Sequence, residues 1–103
     1  MLSNLKQLFG LEPKVNFSDL MKEGAQIIDV RTPVEFNSGH IKGSINIPLQ
    51  NIQNNLSKIK RDKPVITCCA SGMRSASAKS ILKSNGYKHV HNGGGWSSLR
   101  GKL

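Results

Sequence analysis

The residues best equipped for chemistry are gathered in Val65-Ile-Thr-Cys-Cys-Ala-Ser-Gly-Met-Arg-Ser75. Both cysteines of the chain lie here, with a glycine, an arginine and two serines close behind them. A thiolate is a nucleophile and a thiol is not, so the chemistry depends on what favours ionisation. The apolar, β-branched residues 64–67 predict a buried strand that ends on the cysteines. Ala70 to Arg74 then form a short loop, and a helical pattern follows at once. Backbone N–H groups in such a loop converge on an anion, and the positive end of the helix favours thiolate. Cys69 is therefore the candidate nucleophile. Ala70, Ser71, Gly72, Met73, Arg74 and Ser75 are the candidate anion-binding loop, with Gly72 expected at positive φ so that the loop can curl. Arg74 either holds a substrate anion or braces the loop through an ion pair with Asp29 or Glu35. Ser75 either donates to the anion or caps the helix. Strand alternation points Cys68 away from Cys69, which reads as a packed thiol; the alternative is a resolving cysteine.

The elements that position this loop follow from local pattern. Gln26–Val30 is a short apolar strand interrupted by Asp29 near its C-terminal end, the functional edge of an α/β sheet. Asp29 and Arg31 are expected to brace that edge. Thr32, Pro33 and Glu35 make a capping box with proline at the first helical position, and Gly39 ends the one-turn helix. His40 is expected to fix the turn before Ile41, and a short strand follows around Ile45 and Ile47. Leu49, Ile52, Leu56 and Ile59 repeat at helical spacing and predict a helix, which Arg61-Asp-Lys-Pro64 breaks. Beyond the loop, Ala78, Ile81 and Leu82 form the inner face of a helix capped at Asn85-Gly86. Residues 88–92 predict a strand and Gly93-Gly-Gly95 a bend. Trp96 to Leu99 make a last helical turn, with Trp96 a lid on the core. At the front, Phe17 to Gly24 read as a short helix with Ser18 as its N-cap. Alternating strands and helices with short connections argue an α/β fold around a parallel sheet.

Length and charge bound the rest. With 103 residues there is room for one domain with a modest core. We read residues 1–13 as an N-terminal helical extension, with Leu2, Leu5, Leu8 and Phe9 on one face, and residues 14–103 as the domain. The net charge of +9 is spread along the chain, and only Lys58, Lys60, Arg61 and Lys63 cluster. That cluster reads as solvated surface, and no zinc spacing or RNA-binding aromatic motif points to nucleic acid. A positive field does help to draw in small anions. No apolar run approaches the roughly 18 residues of a membrane span. Adjacent cysteines do not make a disulfide framework, and Lys6 and Gln7 interrupt any signal-peptide pattern at residues 1–10. The expectation is a cytoplasmic monomer. His89 and His91 share a strand face, but without further ligands at known spacing they define no metal site.

Three separated segments resemble one family. Asp29-Val-Arg-Thr-Pro-Val-Glu-Phe-Asn-Ser-Gly-His-Ile-Lys-Gly-Ser-Ile-Asn-Ile-Pro48, Cys69-Ala-Ser-Gly-Met-Arg-Ser75 and Gly93-Gly-Gly-Trp96 are similar, in order and separation, to the motifs of single-domain rhodaneses. The resemblance implies a rhodanese-like α/β domain with a central, mainly parallel sheet of about five short strands and helices on both faces. It implies a sulfurtransferase of the thiosulfate type. Cys69 would take a sulfane sulfur from a donor such as thiosulfate and pass it to cyanide in an assay or to a thiol, free or on a protein, in the cell. No cofactor is implied beyond the covalent persulfide. In this family the loop side chains tune substrate choice, and neutral, small Ala70 and Ser71 leave room for a bulky acceptor.

Two other readings start from the same loop. Cysteine phosphatases and arsenate reductases have one residue more between cysteine and arginine than the four here, 70 to 73. The tighter ring suits sulfur better than a tetrahedral oxyanion, and no clear aspartate acid follows. The other is a persulfide carrier or binding module that serves a partner enzyme without turning over free substrate.

Overall fold

A computed structural model of the chain describes residues 15–103. Its strands are β1 (Gln26–Asp29), β2 (Ile45–Asn46), β3 (Val65–Cys69) and β4 (Val90–Gly95). They form one parallel sheet in the order β2-β1-β3-β4. The described residues thus hold four strands, where about five were expected. Every residue of β3 is buried, as its uninterrupted apolar run demands of an inner parallel strand.

The helices are α1 (Phe17–Lys22), α2 (Pro33–Asn37), α3 (Met73–Ser84) and α4 (Trp96–Arg100). Period-two alternation sends the side chains of β3 into two cores. Val65 and Cys69 join Ile28, Ile52, Ala78 and Leu82 on the α3 face. Ile66 and Cys68 join Ile27, Ile41 and Leu99 on the other face, with Phe17 and Leu20 of α1 packed against them. Each face of the sheet is covered, so the C-terminal ends of the strands form the edge where α2 and α3 begin.

The structure corrects several local expectations. The helix expected over residues 49–59 is replaced by two 3-10 turns, Leu49–Asn51 and Leu56–Lys58. The apolar spacing still directs burial: Ile52 and Ile59 are buried, and Leu49 and Leu56 pack against the same core. The asparagines between them are poor helix formers because their amides compete for the backbone, and Asn55 Nδ2 donates to Asn51 O at 2.7 Å. The N-cap of α1 is Asn16, not Ser18; its side-chain oxygen accepts from the Asp19 N–H at 2.9 Å. The glycines at 93–95 are strand rather than bend. A Cβ on Gly93 would lie 2.8 Å from Leu99 Cδ2 and 2.9 Å from Thr67 O, so only a bare backbone can run so close to β3 and α4. β2 stops at Asn46, one residue short of Ile47. The helical extension expected in residues 1–13 lies outside the described residues. Among the described residues no helix is long and apolar enough to cross a membrane.

Candidate active site

The peptide N–H groups of the loop turn inward because Gly72 takes φ +108°, a conformation that side chains resist, and serves as the N-cap of α3. The Gly72 N–H donates to Cys69 Sγ at 2.9 Å and the Ser75 N–H at 3.4 Å. The protonated thiol donates to Ser75 Oγ at 3.4 Å. Cys69 is 1% exposed, so the sulfur lies buried beneath the loop. Burial pushes its thiol up. The Ser75 hydroxyl and the N–H groups of Ser75, Gly72 and Ser71 outweigh burial, and the net displacement is downward. The contacts around Sγ thus favour the anionic form of the Cys69 thiol.

Ser75 is not the N-cap. It sits buried inside the first turn of α3, its hydroxyl within reach of Gly72 O at 3.0 Å and Asn92 Oδ1 at 2.6 Å. Asn92 escaped the sequence reading, since a polar residue ahead of a glycine run carries no signal of its own. It ties β4 to the loop: Nδ2 donates to Gly72 O at 3.3 Å, and Oδ1 accepts from the Gly94 N–H at 2.9 Å. Gly95 packs beneath the loop, where a Cβ would lie 2.8 Å from Ala70 O. Ala70, Ser71 and Met73 are exposed at the mouth.

Arg74 pairs with Glu35. Nη1 donates to Oε1 at 2.7 Å and Nη2 to Oε2 at 2.9 Å. Glu35 Oε1 also accepts from the Thr32 N–H at 3.1 Å, completing the expected capping box. Asp29 and Arg31 form a second, buried pair at the end of β1. Arg31 Nη2 reaches Asp29 Oδ2 at 2.7 Å and Gly39 O at 2.7 Å, and Nη1 donates to Glu35 O at 3.2 Å. This one guanidinium ties the end of β1 to the middle of α2 and to the turn that follows it. The hydrogen bonds that Arg31 donates to Asp29 push its pKa further up than burial pulls it down. Asn46, also missed, donates to the Asp29 and Arg31 carbonyls at 3.0 and 2.9 Å. Trp96 is half-buried beneath Arg31, 4.7 Å from its guanidinium, with Arg100 at 4.8 Å. His40 Nδ1 donates to Phe36 O at 2.8 Å, and the ring stacks on Phe36.

Cys68 does not reach the cradle. It is fully buried in the opposite core, and burial, helped by the Asp29 charge, pushes its thiol up to about 12. A resolving role would require it to leave that core. Both cysteines are free. Two concavities lie away from the loop. One, of about 540 Å³, is lined by Val15, Asn16, Phe17 and Lys102. The other, of about 300 Å³, adjoins His89 and His91 near the start of β3 and β4, at the opposite end of the sheet from Cys69. Among the described residues no group of three or more His, Cys, Asp or Glu side chains is placed to hold a metal ion.

Known proteins share both this sequence pattern and this architecture. The family model described as Rhodanese-like domain matches residues 15–102. The uncharacterized protein YqhL of Bacillus subtilis (strain 168) is 42% identical over 80 residues, which cover 77% of this chain and 64% of YqhL; the chain thus spans under two thirds of that relative. The thiosulfate sulfurtransferase PspE of Escherichia coli (strain K12) is 41% identical over 74 residues, 70% of this chain and 71% of PspE. Among solved structures, a rhodanese with anions from E. coli superposes with a TM-score of 0.68 at 36% identity, covering 72% of this chain and 89% of that one. The human single-domain sulfurtransferase TSTD1 superposes with a TM-score of 0.75 at 25% identity, covering 89% and 98%. With the match running through nearly every described residue, the chain belongs to the rhodanese-like domain family.

Proposed function

We propose that the protein is a sulfurtransferase that carries a sulfane sulfur on Cys69. The observation that supports this most is the convergence of the Gly72 and Ser75 N–H groups on the buried Sγ, at 2.9 and 3.4 Å. The Cys69 thiolate attacks the outer sulfur of thiosulfate. A new S–S bond forms to Cys69, the donor's S–S bond breaks, and sulfite leaves with the bonding pair. The persulfide keeps one negative charge, which the loop N–H groups receive. An acceptor then attacks the outer sulfur. Cyanide leaves as thiocyanate, or a thiolate leaves as a persulfide, and the Cys69 thiolate returns with the bonding pair. The sulfur travels covalently, and no separate cofactor takes part. Both cysteines are free, which suits a reducing, cytoplasmic setting.

Asp29 and Arg31 brace the edge, and the backbone from Ala70 to Ser75 grips the anion. Arg74 braces the loop through Glu35. Mass spectrometry after incubation with thiosulfate tests the reading: one added sulfur is expected on the peptide holding Cys69. Cys69→Ser should abolish transfer to cyanide, and Cys68→Ser should keep most of it. Equal loss in both variants, or turnover of a phosphate ester without a sulfur adduct, overturns it.

A further inference from the structure

Arg74 is the positively charged side chain of the loop, yet its fork is occupied. Both of its terminal nitrogens donate to the Glu35 carboxylate, at 2.7 and 2.9 Å. Glu35 is not free to swing aside, because Oε1 also accepts from the Thr32 N–H at 3.1 Å and from Thr32 Oγ1 at 3.0 Å at the start of α2. The pair is about one-third exposed, so it stands at the surface of the site rather than within the core. It is electrically coupled to the chemistry, since the Cys69 charge raises the Arg74 pKa further. With Ala70 and Ser71 neutral, the mouth presents a cancelled charge in a chain whose net charge is +9.

We propose that Glu35 sets donor selectivity: by clamping Arg74 it withholds the loop cation from the donor and biases the Cys69 site toward sulfane donors of low charge. The proposal rests on the sulfurtransferase reading. Glu35 acts through Arg74 and is a positioning residue. The physical lever is charge. A dianion gains twice what a monoanion gains from one added positive charge at the same place, so the affinity ratio for the dianion is the square of that for the monoanion. Glu35→Gln applies this lever cleanly, because glutamine also serves in a capping box and leaves the start of α2 intact.

The test is steady-state transfer to cyanide with thiosulfate, a dianion, and methanethiosulfonate, a monoanion. In both the thiolate attacks the terminal sulfur, one S–S bond forms as another breaks, and sulfite or methanesulfinate leaves with the bonding pair. Glu35→Gln should lower the KM for thiosulfate about tenfold and that for methanethiosulfonate about threefold, with little change in kcat. Arg74→Met leaves the carboxylate facing the donor and should raise the thiosulfate KM. The double variant removes both charges, and whatever the lost brace does to both donors alike, the ratio of their KM values should return close to that of the unsubstituted protein. An unchanged KM in Glu35→Gln, equal shifts for both donors, or a double variant whose donor ratio stays that of Arg74→Met overturns the proposal while the sulfurtransferase reading stands. Turnover of neither donor by the unsubstituted protein, without a sulfur adduct on Cys69, removes that reading and the proposal with it.

Discussion

Replacing Ser75 by alanine isolates the hydroxyl that helps hold Cys69 as a thiolate. The hydroxyl has one proton and three acceptors within reach: Asn92 Oδ1 at 2.6 Å, Gly72 O at 3.0 Å and Cys69 Sγ at 3.4 Å. While the thiol is protonated it donates to Ser75 Oγ, and the hydroxyl is free to donate to Asn92. When the thiol ionises, the hydroxyl turns to sulfur, and Asn92 Oδ1 keeps the Gly94 N–H at 2.9 Å. Removing the hydroxyl orphans nothing, since Gly72 O keeps the Ala76 N–H at 3.1 Å and Asn92 Nδ2 at 3.3 Å. The cost therefore falls on the thiolate rather than on the fold. A hydrogen bond to a charged group contributes about 1.5–3 kcal/mol, and the bond to Asn92 given up in exchange is worth about 1 kcal/mol. The difference, roughly 0.5–2 kcal/mol, corresponds to about a two- to thirtyfold fall in the ratio of thiolate to thiol at a given pH. The sign follows from the depressed Cys69 pKa. The thiolate stabilises the fold above the unfolded pKa, and that stabilisation is lost as pH falls through the folded value, which Ser75→Ala moves upward. Ultraviolet absorbance of the thiolate against pH reads the change. Cys68, pushed up to about 12, stays silent over the lower range. Below the titration midpoint the rate of sulfur loading from thiosulfate should fall in parallel. A folded variant whose titration midpoint is unmoved, or moves down, refutes the reasoning.

Three further outcomes follow from named contacts. Arg31→Met leaves Asp29 buried without its partner and should cost about 3–5 kcal/mol in urea unfolding, because the carboxylate has no solvent to fall back on. Gly93→Ala forces a Cβ against the Thr67 carbonyl and two core side chains; thermal unfolding should show a loss of about 1–3 kcal/mol, since backbone cannot yield as a side chain can. Arg74 holds the Glu35 carboxyl down to about 2. The contribution of the pair to stability is then fully present above about 4.5 and lost as pH falls through about 2. An NMR titration of Glu35 should show the low midpoint, and Arg74→Met should return it toward the ordinary carboxylate range.

What could be read from the sequence was what depends on near neighbours. The Thr32 to Glu35 capping box needs only residues three apart, and it formed as expected. Gly72 at positive φ follows from a loop that must turn within a few residues, and the separation of Cys68 from Cys69 follows from the two-residue period of a strand. The apolar positions 49, 52, 56 and 59 were rightly read as core-facing, but the backbone carrying them was not helical. Burial needs only that the side chains arrive, and the asparagines between them let the chain do so in two tight turns. The glycines at 93–95 looked like a bend because nothing in their own stretch says that Ile66, Thr67 and Leu99 will crowd against them.

The candidate site divides along the same line. Sequence alone determined that a cysteine ends a buried strand before a glycine loop and a helix, and with that the kind of chemistry to expect. Tertiary structure decided which groups surround the sulfur and which charges remain available. By sequence Arg74 had two possible partners, Asp29 and Glu35. In the fold Asp29 is already enclosed by Arg31, bidentate and buried, and the carboxylate left facing Arg74 is Glu35. Asn92 joins the site only because β4 lies beside β3. Reactivity type is a property of a residue and its immediate chain. Partner choice is a competition among groups brought together from distant positions, and it is settled only when all of them are in place.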